Sequence, residues 1–106
     1  MKRGDIYWVD LNPTRGSEIK KKRPCVIVGA TPINKARRTV VVIPLSGSPK
    51  AHPPLTIPVQ CMKKNVVAVC DQIRSVDKSR FTEKIESMED ADLQRLDHGL
   101  KQVLCL

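Results

Sequence analysis

The chain has 106 residues, with 19 Lys and Arg against 11 Asp and Glu and a formal net charge of +8. This length predicts one domain over residues 1–106. Aromatic residues make up 3% of the chain, so the core has to be built from aliphatic side chains. There is no apolar run of about 18 residues, the length that spans a membrane, and no apolar segment follows the charges at the N-terminus. We therefore expect a soluble, cytoplasmic protein that does not contact a membrane.

The positive charge is concentrated in the first part of the chain. Residues 1–64 carry 13 Lys and Arg against 3 Asp and Glu, whereas residues 65–106 carry 6 against 8. A distribution of this kind is typical of a protein with one face that binds polyanions such as nucleic acids. A solvated basic surface is the alternative interpretation.

The first two strands are predicted on either side of a polar loop. Apolar runs favour strands over residues 6–11 and 25–28. The stretch 15–23 between them contains a glycine turn, a hydroxyl, a carboxylate and several basic groups. A polar loop held at both ends by buried strands is a common place for reactive groups in a small domain.

The middle of the chain predicts four further strands. Residues 39–45 are rich in β-branched side chains, which favours a central strand buried on both faces, and Pro44 should mark its end because proline has no N–H for a ladder. Residues 31–38 predict a loop or one helical turn, and the proline-rich residues 46–54 predict an exposed loop. The other three strands are expected over residues 55–59 at an edge, 66–70 in the interior and 73–77 with one exposed face.

The C-terminal part of the chain predicts one long helix. Ser87 and Asp90 have the spacing of a capping box, and acidic residues in the first turn suit the helix dipole. An apolar stripe at helical spacing follows, formed by Leu93, Leu96, Leu100, Val103 and Leu104. The stripe favours packing on the core, with a partner-binding seam as the alternative. Short strands followed by one packing helix predict a small, mostly antiparallel α+β barrel.

The four cysteines do not form a metal-binding pattern. They include no Cys-x-x-Cys pair, and neither His52 nor His98 lies at zinc-ligand spacing from a cysteine. Cys25 and Cys70 fall in Val-rich runs, where a thiol behaves as a small apolar side chain. We therefore expect reduced structural cysteines, no metal site and no cofactor.

Three groups of residues carry specific motifs in a fixed order. They are residues 4–13 with Gly16-Ser17-Glu18 and Arg23-Pro24, residues 41–46, and residues 67–77 around Asp71-Gln72-Ile73-Arg74. In this order and spacing, over essentially the whole chain, they resemble the MazF/PemK family of toxin endoribonucleases. The resemblance implies a small antiparallel SH3-like barrel with a long C-terminal helix.

The resemblance also implies roles for individual residues. Arg23 matches the catalytic arginine of the family, Ser46 matches its hydroxyl partner, and Glu18 matches a loop carboxylate on which activity depends in some members. Asp71 matches an aspartate that acts as the base in one branch of the family. The arginine and histidine of that branch fall on Val69 and Ser17 here, so Arg23 with Ser46 is the preferred pair and Asp71 assists or binds RNA.

The chemistry of RNA cleavage fits these residue types. Without a metal, the enzyme must activate the ribose 2′-hydroxyl, stabilise charge on phosphorus and protonate the leaving 5′-oxygen. Arginine suits the phosphate because its planar fork donates two hydrogen bonds. It is a poor general base at neutral pH, so we expect Arg23 to stabilise charge rather than to transfer a proton. On sequence alone, each residue also has a structural interpretation. Arg23 is then a surface residue, Ser46 a turn residue and Glu18 an ion-pair partner of the neighbouring lysines.

A second set of residues is predicted to contact RNA around this centre. The set comprises Ser17, Lys20, Lys21, Lys22, Asp71 and Gln72. Family members usually have Gln and small residues where this chain has Ile19 and three lysines, so attraction to phosphates should be stronger here.

The resemblance finally implies an activity and its partners. Members cut single-stranded mRNA at short sequences and leave a 2′,3′-cyclic phosphate and a 5′-hydroxyl, without a metal or cofactor. A homodimer and a cognate antitoxin with an acidic, extended C-terminal segment are expected. Two alternatives remain open, namely an RNA-binding barrel without catalysis and a gyrase-poisoning toxin of the same fold. The second works through a C-terminal Trp-Gly-Ile, whereas this chain ends in residues 103–106, Val-Leu-Cys-Leu.

Overall fold

The computed structural model of the chain describes residues 1–47 and 50–106, so positions 48 and 49 of the predicted loop lie outside the described residues. Two α-helices, α1 Thr31–Ala36 and α2 Asp90–Leu104, accompany the sheet, with short 3-10 turns at Cys70–Gln72 and Lys78–Arg80. The strands are β1 Asp5–Asp10, β2 Lys22–Ile27, β3 Thr39–Ser46, β4 Thr56–Cys61, β5 Lys64–Val69, β6 Arg74–Asp77 and β7 Phe81–Ser87.

The strands form one antiparallel sheet that curls strongly around the core. Its order is β4-β5-β3-β2-β1-β7, and β6 also pairs with β3. The change of partner occurs along β3, since Thr39–Val42 pair with β6 whereas Leu45 and Ser46 pair with β5. The helix α2 follows the last strand and packs against β4 through Gly99 and Ile57. The predicted fold class, a mostly antiparallel α+β barrel with a long C-terminal helix, is confirmed.

Two apolar clusters lie on opposite faces of the central strands. Val26 belongs to the cluster that contains Leu96 and Leu100 of α2, whereas its neighbours Cys25 and Ile27 belong to the other cluster. Because successive side chains of a strand point to opposite faces, the central strands are buried on both sides, as predicted. The helix stripe is also core, except that Leu104 remains 44% exposed.

Two predictions about strand ends were wrong. The second strand begins at Lys22 rather than at residue 25, so Arg23 lies within β2 and pairs with Val9 of β1. Pro44 does not end the third strand, which continues to Ser46 and makes that residue buried rather than part of an exposed loop. Pro44 falls between the last pair with β6 and the first pair with β5. A residue without a donor is tolerated where the ladder is interrupted in this way.

The region before α2 also differs from the prediction. The strand β7 was not predicted, and it pairs with β1 at the edge of the sheet. Ser87 ends β7 and donates a hydrogen bond to Asp5 at 3.1 Å instead of capping the helix. The N-cap is Glu89, without a side-chain capping bond, although Asp90 and Asp92 do occupy the first turn.

The buried carboxylate of Asp5 joins the N-terminus to β7. It accepts hydrogen bonds from the Lys2 amide at 3.0 Å and the Ser87 hydroxyl at 3.1 Å, and lies 3.3 Å from the Lys84 ammonium. Burial alone would raise the pKa of Asp5, but these three partners outweigh it and lower the pKa below 3.8.

The two α-helices of the described residues differ in length, with 6 residues in α1 and 15 in α2. Residues 31–36 form α1, a little more than the single turn predicted, and proline stands at its start, where its missing N–H costs no helical bond. Neither α1 nor α2, the α-helices of the described part of the chain, is long and apolar enough to cross a membrane.

Candidate active site

The loop between β1 and β2 folds into a tight turn. Gly16 has a positive φ of 58°, which glycine adopts without steric cost. The Glu18 amide donates to the Arg15 carbonyl at 3.1 Å, and the Arg15 amide donates to Glu18 Oε1 at 2.6 Å. The carboxylate of Glu18 is therefore held by its own loop, while its side chain remains exposed.

This turn forms one wall of a polar groove of about 330 Å³. The opposite wall comes from the 3-10 turn after β5 and the start of β6. The lining residues are Ser17, Glu18, Asp71, Gln72, Ile73 and Arg74. Four residues predicted from the sequence to act at the site thus lie together, although they come from two regions more than 50 positions apart.

Hydrogen bonds join the two walls. Gln72 Oε1 accepts from the Ile19 amide at 2.7 Å, and Gln72 Nε2 donates to the Ser17 carbonyl at 3.3 Å. The Arg74 guanidinium donates to the Ile19 carbonyl at 3.4 Å and to Gln72 Oε1 at 3.0 Å. The loop and the 3-10 turn therefore form one connected unit.

Arg23 and Ser46 lie outside the lining of this groove, on neighbouring strands. Arg23 is half-buried in β2, and its Nε donates to the Lys20 carbonyl at 3.3 Å. Ser46 is 9% exposed and is the last residue of β3. Cys25 and Pro44 are the last pair between these antiparallel strands, and Arg23 and Ser46 each lie two residues beyond that pair. The predicted antiparallel juxtaposition of the two strands is confirmed.

Three exposed lysines form a basic rim between the groove and Arg23. Lys20, Lys21 and Lys22 occupy the end of the loop and the first position of β2. Lys21 has a positive φ of 72°, and its backbone is held by two bonds, an amide donation to Asn12 Oδ1 at 3.2 Å and a carbonyl that accepts from Leu11 at 3.0 Å. The rim therefore has a defined backbone although its side chains are solvated.

The family model described as PemK-like, MazF-like toxin of type II toxin-antitoxin system matches residues 2–104. The chain belongs to this toxin family. A relative named endoribonuclease MazF, from Staphylococcus saprophyticus, is 34% identical over 105 residues, which cover 94% of this chain and 88% of the relative. The resemblance found in the sequence motifs is therefore confirmed.

Two solved structures share the fold of this MazF/PemK-family toxin. The crystal structure of MazF from Deinococcus radiodurans has a TM-score of 0.88 at 20% identity, covering 100% of this chain and 97% of that one. An endoribonuclease from a mycobacterial species, in complex with its cognate antitoxin, has a TM-score of 0.84 at 19% identity, covering 100% and 96%. At these sequence identities, the structural similarity establishes the fold alone.

The thiols of the toxin are mostly core groups. Burial raises the pKa of the Cys25 thiol to about 12 and that of Cys70 to about 11. Both thiols therefore stay protonated at neutral pH and act as apolar side chains, as predicted. Cys105, just past α2, is exposed. Within residues 1–47 and 50–106, no three His, Cys, Asp or Glu side chains lie close enough together to hold a metal ion.

Sequence reasoning left two residues of the groove, Ile73 and Arg74, out of the predicted site. Arg74 was noted only as part of a family motif, yet its guanidinium bonds the loop backbone and Gln72. The Gln-x-Arg motif contained both residues but not their geometry, since Gln72 ends a 3-10 turn and Arg74 begins β6, so strand alternation does not relate them.

Proposed function

We propose that this toxin cuts single-stranded mRNA at specific short sequences, without a metal, and leaves 2′,3′-cyclic phosphate and 5′-hydroxyl ends. Endonuclease action on RNA is the activity of the relative that is 34% identical, and toxicity follows because cut messages cannot be translated. The observation that carries the proposal is a polar groove with two carboxylates, Glu18 and Asp71, beside a basic rim that leads to Arg23.

The proposed reaction is an internal transesterification of the RNA. The ribose 2′-oxygen attacks the adjacent phosphorus as its proton passes to a carboxylate, the bond from phosphorus to the 5′-oxygen breaks, and the leaving 5′-oxygen takes up a proton from water. Arg23 stabilises the charge that develops on the phosphate oxygens, and the Ser46 hydroxyl acts on the same phosphate. Glu18 and Asp71 are the candidate carboxylates for accepting the 2′-hydroxyl proton.

The lysine rim gives this site its attraction for the RNA backbone. Lys20, Lys21 and Lys22 are exposed beside Arg23, so they can reach phosphates of a strand that lies in the groove. Ser17 and Asp71 line the groove, which supports a role for both in contacting bases or sugars. Phosphate contacts position the strand, whereas contacts to bases select the sequence.

The proposed partners follow from the same charges. The mycobacterial endoribonuclease was solved in complex with its cognate antitoxin, and we extend that partnership to this chain. An acidic, extended antitoxin segment would bind the basic rim quickly and compete with RNA for the groove. We further propose that the toxin acts in the cytoplasm as a homodimer.

Cleavage of a long RNA by the purified protein tests the proposal. Primer extension should show cuts at one short sequence, in excess EDTA as well as without it. The downstream fragments should be labelled by polynucleotide kinase without phosphatase treatment, because their 5′ ends are hydroxyls. Intact RNA, or cleavage only after magnesium is added, would contradict the proposal.

The variant Arg23→Ala tests the role of the guanidinium. Loss of one electrostatic donor to a transition state costs on the order of 100-fold or more in rate, while the fold, followed by circular dichroism, should be unchanged. Arg37→Ala is the matched control, because Arg37 is an exposed arginine at the end of α1. RNA binding with no cleavage by the unaltered protein would favour the non-catalytic barrel instead.

A further inference from the structure

The side-chain amide of Gln72 has its orientation fixed by its neighbours. Its oxygen faces two groups that can only donate, the Ile19 amide at 2.7 Å and the Arg74 guanidinium at 3.0 Å. Its nitrogen faces the Ser17 carbonyl, which can only accept, at 3.3 Å. A flipped amide would lose all three bonds, so the assignment of oxygen and nitrogen is determined by the bonding partners.

Gln72 and Arg74 together hold the peptide groups on both sides of Ile19. The Ile19 amide donates to Gln72, and its carbonyl accepts from Arg74 at 3.4 Å. The Ile19 side chain is half-buried against the second apolar cluster. Two side chains thus supply for this loop the pair of bonds that a neighbouring strand would supply in a sheet.

This attachment sets the position of the groove wall. Ser17 and Glu18 immediately precede Ile19 in the chain, and both line the groove opposite Gln72. The turn at residues 15–18 fixes the loop internally, but only bonds that leave the loop can fix it relative to the rest of the site. Gln72 makes two such bonds.

We infer that Gln72 is a positioning residue, which holds the β1–β2 loop in the geometry needed for RNA cleavage by bonding Ser17 and Ile19. The inference rests on the proposed endoribonuclease function and adds a residue that acts through the loop rather than on the RNA. Direct contact between Gln72 and RNA is the competing assignment.

Three variants separate these assignments. Gln72→Ala removes both bonds to the loop. Gln72→Glu keeps an oxygen acceptor for the Ile19 amide and for Arg74, and puts a charged acceptor in place of the donor to Ser17. Gln60→Ala is the matched control, because Gln60 is an exposed glutamine of β4 whose amide donates to Asn65 at 3.4 Å.

Hydrogen exchange of the Ile19 amide, measured in the absence of RNA, reports whether Gln72 holds the loop. The Gln72→Ala variant should exchange this amide on the order of tenfold faster, because its acceptor is gone. The Gln72→Glu and Gln60→Ala variants should keep the protection of the original protein. Unchanged protection in Gln72→Ala would overturn the inference.

Cleavage kinetics on a set of short RNAs measure how loss of the loop attachment affects catalysis. Gln72→Ala should lower kcat by roughly 10- to 100-fold for every RNA alike, because a wall displaced by about 1 Å disturbs reacting geometry. Gln72→Glu should recover kcat to within roughly fivefold of the original, at a higher KM caused by the added charge. Gln60→Ala should cleave as the original protein does.

Several results would refute the positioning role. These are a change in the relative rates among the RNAs, a Glu variant as impaired as the Ala variant, or faster Ile19 exchange with unchanged kcat. Failure of the unaltered protein to cut any RNA would instead count against the proposed function, while the exchange of the Ile19 amide would still report on the attachment.

Discussion

The lysine rim makes a quantitative prediction about salt. Replacing Lys20, Lys21 and Lys22 by Gln should weaken RNA binding and make it less dependent on ionic strength. All three side chains are exposed, and Lys20 accepts a hydrogen bond from Arg23 through its carbonyl, so the rim adjoins the proposed reacting phosphate. The preferred cleavage sequence should change little, because phosphate contacts carry no sequence information.

The size of the effect follows from the number of contacts. Each phosphate contact on a single strand contributes roughly 0.7 to the slope of log affinity against log salt, so three lysines contribute about 2.1. Raising the salt fourfold should therefore cost the original protein about 18-fold more affinity than it costs the triple variant. An acidic antitoxin segment that uses the same field should be weakened as well.

Fluorescence anisotropy with a labelled RNA at several salt concentrations measures the slope. The RNA should contain a 2′-deoxy sugar at the cleavage position so that it is not cut. The matched control replaces Lys35, Lys63 and Lys101 by Gln, because these exposed lysines lie on α1, the β4–β5 hairpin and α2. It removes the same net charge away from the rim. Equal slopes for the two triple variants would show that the rim acts only through net charge. A rim variant with the same slope as the original protein would show that these lysines do not contact RNA.

The sequence predicted those elements whose signal is local. Hydrophobic spacing predicts these elements directly. The strands β3 and β5 appear as Val-rich runs, and α2 appears as an apolar stripe at helical spacing. The motifs around Glu18 and Asp71 also identified residues that line one groove, whereas Arg23 was expected in the loop and lies in β2. These patterns do not indicate which polar groups contact one another in the folded chain.

The wrong or missing predictions are those decided by contacts between distant positions. Ser87 has the local spacing of a helix cap, yet its hydroxyl bonds Asp5, 82 positions away in sequence. The strand β7 is mostly exposed at the sheet edge, with only Phe81 and Ile85 half-buried, so periodicity gave no signal for it. In both cases a tertiary partner determined the local structure.

The candidate site contains contacts that the sequence did not indicate. That Gln72 contacts RNA stays a prediction, and a polar residue in a family motif gives no indication of the groups that it bonds within the fold. The structure places its amide against Ser17, Ile19 and Arg74, and the bond to Ile19 spans 53 positions. A polar side chain that bridges two loops has no periodicity, so spacing in the sequence cannot reveal it.

Three further changes test the site and its scaffold. Ser46→Ala should lower the cleavage rate by less than Arg23→Ala, whereas Ser46→Thr should retain activity because it keeps the hydroxyl; equal losses in both Ser46 variants would show that the hydroxyl is not what matters. Iodoacetamide at neutral pH should label Cys105 quickly and leave Cys70 unmodified while the protein is folded, because burial raises the pKa of the Cys70 thiol to about 11, and mass spectrometry checks this. Asp5→Asn should lower the free energy of unfolding by roughly 1–3 kcal/mol at pH 7, since a buried carboxylate loses charge-assisted bonds. The folded-state pKa of Asp5 lies below 3.8, so its contribution is complete above that pH and is lost as the pH falls through the folded-state value. Urea titrations at pH 7 and at the lowest pH where both proteins fold should therefore show the penalty shrinking in acid, and a penalty independent of pH would mean that the charge of Asp5 does not stabilise the fold.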